Sequence, residues 1–92
     1  FRGHRYWHKY TDAQIESLRL LLIHVGKIYP KIDILAGIPQ LLKDGVSPKD
    51  AFEFKSSVYN GKEKGVWTHT TVRKDKFDCF PQPELVEMLK NL

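Results

Sequence analysis

Cys79 is the one cysteine in 92 residues, so no disulfide can form within the chain and oxidation contributes nothing to its fold. Long hydrophobic runs are missing too. None approaches the ~20 apolar residues that a membrane-spanning helix needs. The opening Phe1-Arg2-Gly3-His4 lacks the apolar centre of a secretory signal. The chain starts on Phe rather than Met, which reads as a processed product or a piece of a longer protein. Internal repeats and low-complexity tracts are absent. Neither sign of charge dominates: 15 Lys and Arg against 11 acids leave a net charge of +4. That excess suits an anionic partner such as nucleic acid or an acidic wall polymer. Lys is scattered between acids, however, so most of these charges read as solubilising surface.

The residues that are present describe a globular chain, 41% hydrophobic and 12% aromatic. Its length makes one small domain or part of one, able to bury about 60–65% of its unfolded surface. Phe1 to Tyr10 is aromatic and basic. His4 and His8 have the i, i+4 spacing of a helical metal pair, but Gly3 and the density of rings favour an extended segment packing on the domain. Thr11-Asp12-Ala13-Gln14 is a capping box, and Asp12 adds charge that suits the positive end of a helix. The spacing of Ile15, Leu18, Leu21, Leu22, Val25 and Ile28 predicts an amphipathic helix to about Tyr29, its apolar stripe in the core and His24 beside it. Pro30 ends it.

Between Lys31 and Lys64 the pattern is less regular. Ile32, Ile34 and Leu35 suit a short strand or a helical turn, and Gln40 to Lys43 suits a turn of helix. Ser47-Pro48-Lys49-Asp50 reads as an N-cap with Pro at N1, opening a helix through about Lys55. Asn60-Gly61 is a turn signal. At the other end Pro83 to Lys90 predicts a closing helix with Leu85, Val86, Met88 and Leu89 on its apolar face.

The stretch with most chemistry runs from Gly65 to Pro81. A β-prone pair, Val66 and Trp67, leads to His69, and a polar loop then carries Arg73, Lys74, Asp75, Lys76, Asp78 and Cys79. A strand end followed by a loop is where functional groups are commonly displayed. His, Asp and Cys are zinc-ligand types, and a nearby Lys can stabilise developing negative charge. Taken alone, His69 with Asp78 or Cys79 supplies two ligands, whereas a catalytic zinc site typically holds three.

The order of these features resembles the C-terminal half of zinc-dependent N-acetylmuramoyl-L-alanine amidases. These type 2 amidases form a superfamily with amidase-type phage lysozymes and peptidoglycan-recognition proteins. The resemblance rests on Tyr10-Thr11-Asp12-Ala13-Gln14, the long helix, Val66-Trp67-Thr68-His69, and Lys76-Phe77-Asp78 followed by Pro81. It implies an α/β fold: a portion of a mixed-sheet domain with a long capped helix, one or two strands and a C-terminal helix. Residues 1–92 would form the C-terminal portion of one domain, with an insertion at about 31–64.

By the same resemblance, His69 would be the second zinc ligand, Asp78 the third, and Lys76 the group that stabilises the oxyanion. Composition alone favours Cys79 over Asp78 as ligand, and the two-residue spacing from Lys76 favours Asp78. The implied reaction is cleavage of the amide between N-acetylmuramic acid and L-alanine, with Zn2+ as cofactor and peptidoglycan, in the cell wall, as substrate. The family's first zinc His, and the Tyr or Glu that handles the water proton, lie on N-terminal strands with no counterpart here. The order Asp78-Cys79-Phe80-Pro81 also sets the carboxylate two residues further from the proline than is usual. Two expectations follow: a missing N-terminal segment of the same domain supplies the remaining ligand, or the chain is a non-catalytic peptidoglycan-binding relative. A third reading is a small basic nucleic-acid-binding domain using Arg73, Lys74 and Lys76, but none of the usual motifs for that function occurs.

Overall fold

The computed structural model describes residues 3, 8–76 and 79–92. Six helices follow one another among them: α1 (Asp12–Ile28), α2 (Ile38–Lys43), α3 (Pro48–Ala51), α4 (Ser56–Tyr59), α5 (His69–Val72) and α6 (Pro83–Lys90). Local chemistry explains where α1 begins. The Thr11 hydroxyl accepts from the Gln14 N–H at 3.1 Å, and the Gln14 side chain accepts from the Thr11 N–H at 2.8 Å. Each bond satisfies an amide that the first helical turn leaves without a partner. The helix stops at Ile28, with Tyr29 as C-cap and Pro30 next.

The expected α/β architecture is overturned. The described residues form a small helical domain with no strand, and Val66 makes only an isolated parallel bridge with Gly37. The Val66 N–H donates to Ala36 O at 3.1 Å, and the Ile38 N–H donates to Val66 O at 3.0 Å. Pairing stops there because α2 starts at Ile38 on one side and α5 at His69 on the other. β-Prone residues without a neighbour to extend the ladder do not make a strand. Two glycines allow this contact. Gly37 has φ +84°, and a Cβ on it would lie 2.5 Å from Val66 O. Gly65 has φ +111°, and a Cβ there would run into the Ala36 carbonyl.

The core comprises Ile15 of α1, Ile38 and Leu42 of α2, Ala51 and Phe52 at the end of α3, and Leu85, Met88 and Leu89 of α6. The stretch 31–64 thus contributes half of these side chains. The expected helix from Pro48 to Lys55 is shorter, ending at Ala51. Its continuation is diverted: Phe52 O accepts from Thr70 Oγ1 at 2.6 Å, and the Phe54 N–H turns to the Glu53 carboxylate at 3.0 Å. Side-chain groups here replace the helical ladder.

The stripe on α1 is only partly core. Ile15 is buried and Leu18, Leu22 and Val25 are half-buried, while Leu21 and Ile28 are 56% and 53% exposed. Leu20, Tyr29, Ile32 and Leu35 are also exposed, so among the described residues the large apolar side chains left on the surface concentrate between positions 20 and 35.

Candidate functional site

The segment Val66–Thr68 crosses from the Gly37 bridge to α5. Trp67 is fixed by its indole N–H, which donates to Lys64 O at 3.1 Å. Thr68 then begins a cluster of hydroxyls. Its N–H donates to Thr71 Oγ1 at 3.3 Å, and its Oγ1 is 2.7 Å from Thr70 Oγ1 and 3.1 Å from Thr71 Oγ1. Thr70 and Thr71 are fully buried, so these bonds satisfy polar groups that would otherwise be costly to bury. His69, the first residue of α5, is exposed beside this anchored turn.

The segment after the loop is held from the other side. Gln82 is 2% exposed and pairs with the backbone of Tyr10 at both ends of its amide. The Tyr10 N–H donates to Oε1 at 2.7 Å, and Nε2 donates to Tyr10 O at 3.0 Å. The Phe80 N–H donates to the Tyr10 hydroxyl at 3.3 Å, and the two rings lie 5.2 Å apart. Tyr10 thus packs its ring on the domain, while the other rings of the N-terminal segment, Phe1, Tyr6 and Trp7, lie outside the described residues. His4 lies outside the described residues, and His8 is exposed.

Between these two anchors lies an apolar cleft of about 400 Å³. His69, Cys79, Trp67 and Val66 line it, with Leu18 and Leu22 of α1 and Leu85 and Leu89 of α6. A neighbouring cavity of about 330 Å³ shares Leu18, Cys79 and Leu85 and is also lined by Tyr10. Two of the four expected site residues thus come to one cleft, although ten positions separate them in sequence. Lys76 is exposed in the loop and is not part of the cleft lining. Asp78 lies outside the described residues.

The loop before Lys76 is organised by a forked ion pair. Arg73 Nε and Nη2 donate to the two oxygens of Asp75 at 2.9 and 2.8 Å. The Arg73 guanidinium holds the Asp75 carboxyl below its ordinary range, and the carboxylate in turn raises the guanidinium. Lys74 extends the other way, its Nζ 5.0 Å from the centre of the Phe54 ring.

The sequence gives no advance sign of this aromatic contact, nor of the apolar cleft wall from α1 and α6. Both join side chains distant in sequence: helical spacing marks Leu18, Leu22, Leu85 and Leu89 as apolar faces, but not their meeting around His69 and Cys79. No family model, curated protein or solved structure matches the chain.

The donors fit zinc in kind: an imidazole and a thiol on one cleft, with a carboxyl residue adjacent to the thiol in sequence. In number they fall short. No group of three His, Cys, Asp or Glu side chains comes together among the described residues.

Proposed function

We propose that the chain is the zinc-bearing C-terminal portion of a peptidoglycan amidase, cleaving the bond between N-acetylmuramic acid and L-alanine. The observation that carries this reading is the shared cleft of His69 and Cys79, next to Asp78 in sequence. His69 and Asp78, with Cys79 as the alternative to Asp78, would hold the ion, and a preceding segment of the same domain would supply the rest. When bound, zinc supplies a Lewis acid for the scissile carbonyl.

The chain's own residues have distinct tasks. The walls formed by Trp67, Leu18, Leu22, Leu85 and Leu89 pack apolar parts of the substrate and exclude water, which strengthens charge interactions in the cleft. Lys76 offsets negative charge as it develops on the amide oxygen when water adds to the carbonyl. The C–N bond then breaks, and the L-alanine amine leaves with a proton. Lys76 must swing from its exposed position to do this, and the loop that carries it is surface-borne. In the complete protein Lys76→Ala should lower kcat by roughly 10²-fold or more, as for other lost oxyanion donors, with zinc content unchanged.

The deciding experiment is to digest purified peptidoglycan with the complete protein and to follow newly freed L-alanine amino groups. Their release, and its loss on chelation, is expected. Release of reducing sugar ends instead of amines would overturn the amidase reading. The shortage of ligands among the described residues favours a second reading, a non-catalytic relative that grips peptidoglycan through the same cleft. Binding to the polymer with neither product formed would select it.

A further inference from the structure

Residues 55–76 hold six Lys or Arg against two acids, so this stretch alone carries +4, the whole net charge of the chain. Everything else is neutral in sum. The fold draws part of the stretch into one surface, because α4 packs against α5 and the Lys55 N–H donates to Thr71 O at 2.9 Å. Two aromatic rings are set among the charges. Phe54 and Tyr59 lie 6.4 Å apart at 48°, with Lys74 over the Phe54 ring. Tyr59 is 65% exposed, and Lys62 and Lys74 are exposed as well. Acids gather elsewhere: Asp12, Glu16, Glu84 and Glu87 line the groove between α1 and α6, with Arg19 paired to Glu16 among them.

We infer that the α4–α5 surface around Tyr59, Lys62 and Lys74 binds a linear phosphodiester polyanion, and that its ligand is a polyol-phosphate polymer of the cell wall. Localised positive charge supplies affinity for regularly spaced phosphates. The choice of polymer follows from the rings. Binding of single-stranded nucleic acid typically uses successive exposed rings on which bases stack. Among the described residues Tyr59 is the one exposed ring of this surface, since Phe54 is half-buried under Lys74. One flat apolar face suits the carbon backbone of a polyol between phosphates. Location in the wall rests on the amidase reading; the binding itself does not require catalysis. Such a surface would hold the protein on its substrate's matrix while the cleft works elsewhere.

The test is to titrate the 92-residue chain with poly(glycerol phosphate), and separately with oligothymidylate of equal phosphate number. With about three phosphate contacts on a single-chain polymer, affinity for the polyol phosphate should fall roughly 20-fold between about 50 and 200 mM salt. The double charge reversal Lys62→Glu with Lys74→Glu should weaken binding by about tenfold or more, from lost contacts and added repulsion. The control Lys31→Glu with Lys49→Glu makes the same change of total charge at exposed positions elsewhere and should change binding less than about twofold. Circular dichroism of both variants should match the parent. Equal loss in both pairs, or binding indifferent to salt, overturns the surface. Tighter binding of oligothymidylate overturns the choice of ligand. Because no amide cleavage is measured, failure here leaves the amidase reading standing, and failure of that reading leaves this binding result intact.

Discussion

Gln82 shows how one side chain can stand in for secondary structure. Its buried amide meets the backbone N–H and C=O of Tyr10 as a peptide group of a neighbouring strand would. Removing it takes two hydrogen bonds from the Tyr10 backbone at a half-buried position. Gln82→Ala should therefore lower unfolding free energy by about 2 kcal/mol, read as a lower urea midpoint at unchanged slope. A change below about 0.5 kcal/mol would mean that water replaces the amide without penalty. The choice between Asp78 and Cys79 as zinc ligand also belongs at this scale. Cys79 is half-buried and borders both apolar cavities, an environment that suits a small hydrophobe. Under the proposed amidase reading, the two-residue spacing from Lys76 would give the metal to Asp78. In the complete protein Asp78→Ala should lose zinc and activity together, while Cys79→Ser keeps zinc and loses some stability. Zinc retained in Asp78→Ala but lost in Cys79→Ser would reverse the assignment.

At the scale of elements, what the sequence revealed was what local rules decide. The start of α1 is fixed by a four-residue capping box, that of α3 by Ser47 and Pro48, and that of α6 by Pro83, so all three were legible. The strand expected at Val66 and Trp67 was not, because a strand exists only with a partner, and the partner segment near Gly37 turns at once into α2. His69 accordingly sits at the start of a helix rather than the end of a strand. The segment that carries it depends on the Gly37–Val66 contact, and Gly65 makes that contact possible. Gly65→Ala would place a Cβ against the Ala36 carbonyl at a φ that side chains rarely adopt. Strain at such a position is of order 1–3 kcal/mol, and the backbone overlap adds to it. The expected result is a loss of at least about 2 kcal/mol, together with faster hydrogen exchange at the Val66 and Ile38 amides. Unchanged protection at those two amides would show that the bridge does not hold the segment in place.

Across the whole molecule, two features bear on the proposed completion of the site by another segment. One is the apolar surface at positions 20–35, where Leu20 and Leu21 are more than half exposed on a helix whose other face is core. Exposed apolar side chains in such number are commoner at surfaces that meet another segment or partner. The other is the number of metal donors. Zinc in catalytic sites typically takes three protein ligands, and among the described residues the cleft offers His69 and Cys79. A site short of a ligand binds weakly, since each missing donor is replaced by water and loses the preorganisation that protein ligands provide. The purified 92-residue chain should therefore bind zinc weakly, lose even that binding in His69→Ala, and leave peptidoglycan intact. Zinc affinity is measured by competition with a chromophoric chelator, and hydrolysis by the release of L-alanine amino groups. The His69→Ala variant separates binding at the cleft from stray binding elsewhere, because His69 is exposed and its loss should not disturb the core. Vigorous amide cleavage by this chain alone would mean that the described cleft already holds a complete site, and the proposed completion by a preceding segment would fall.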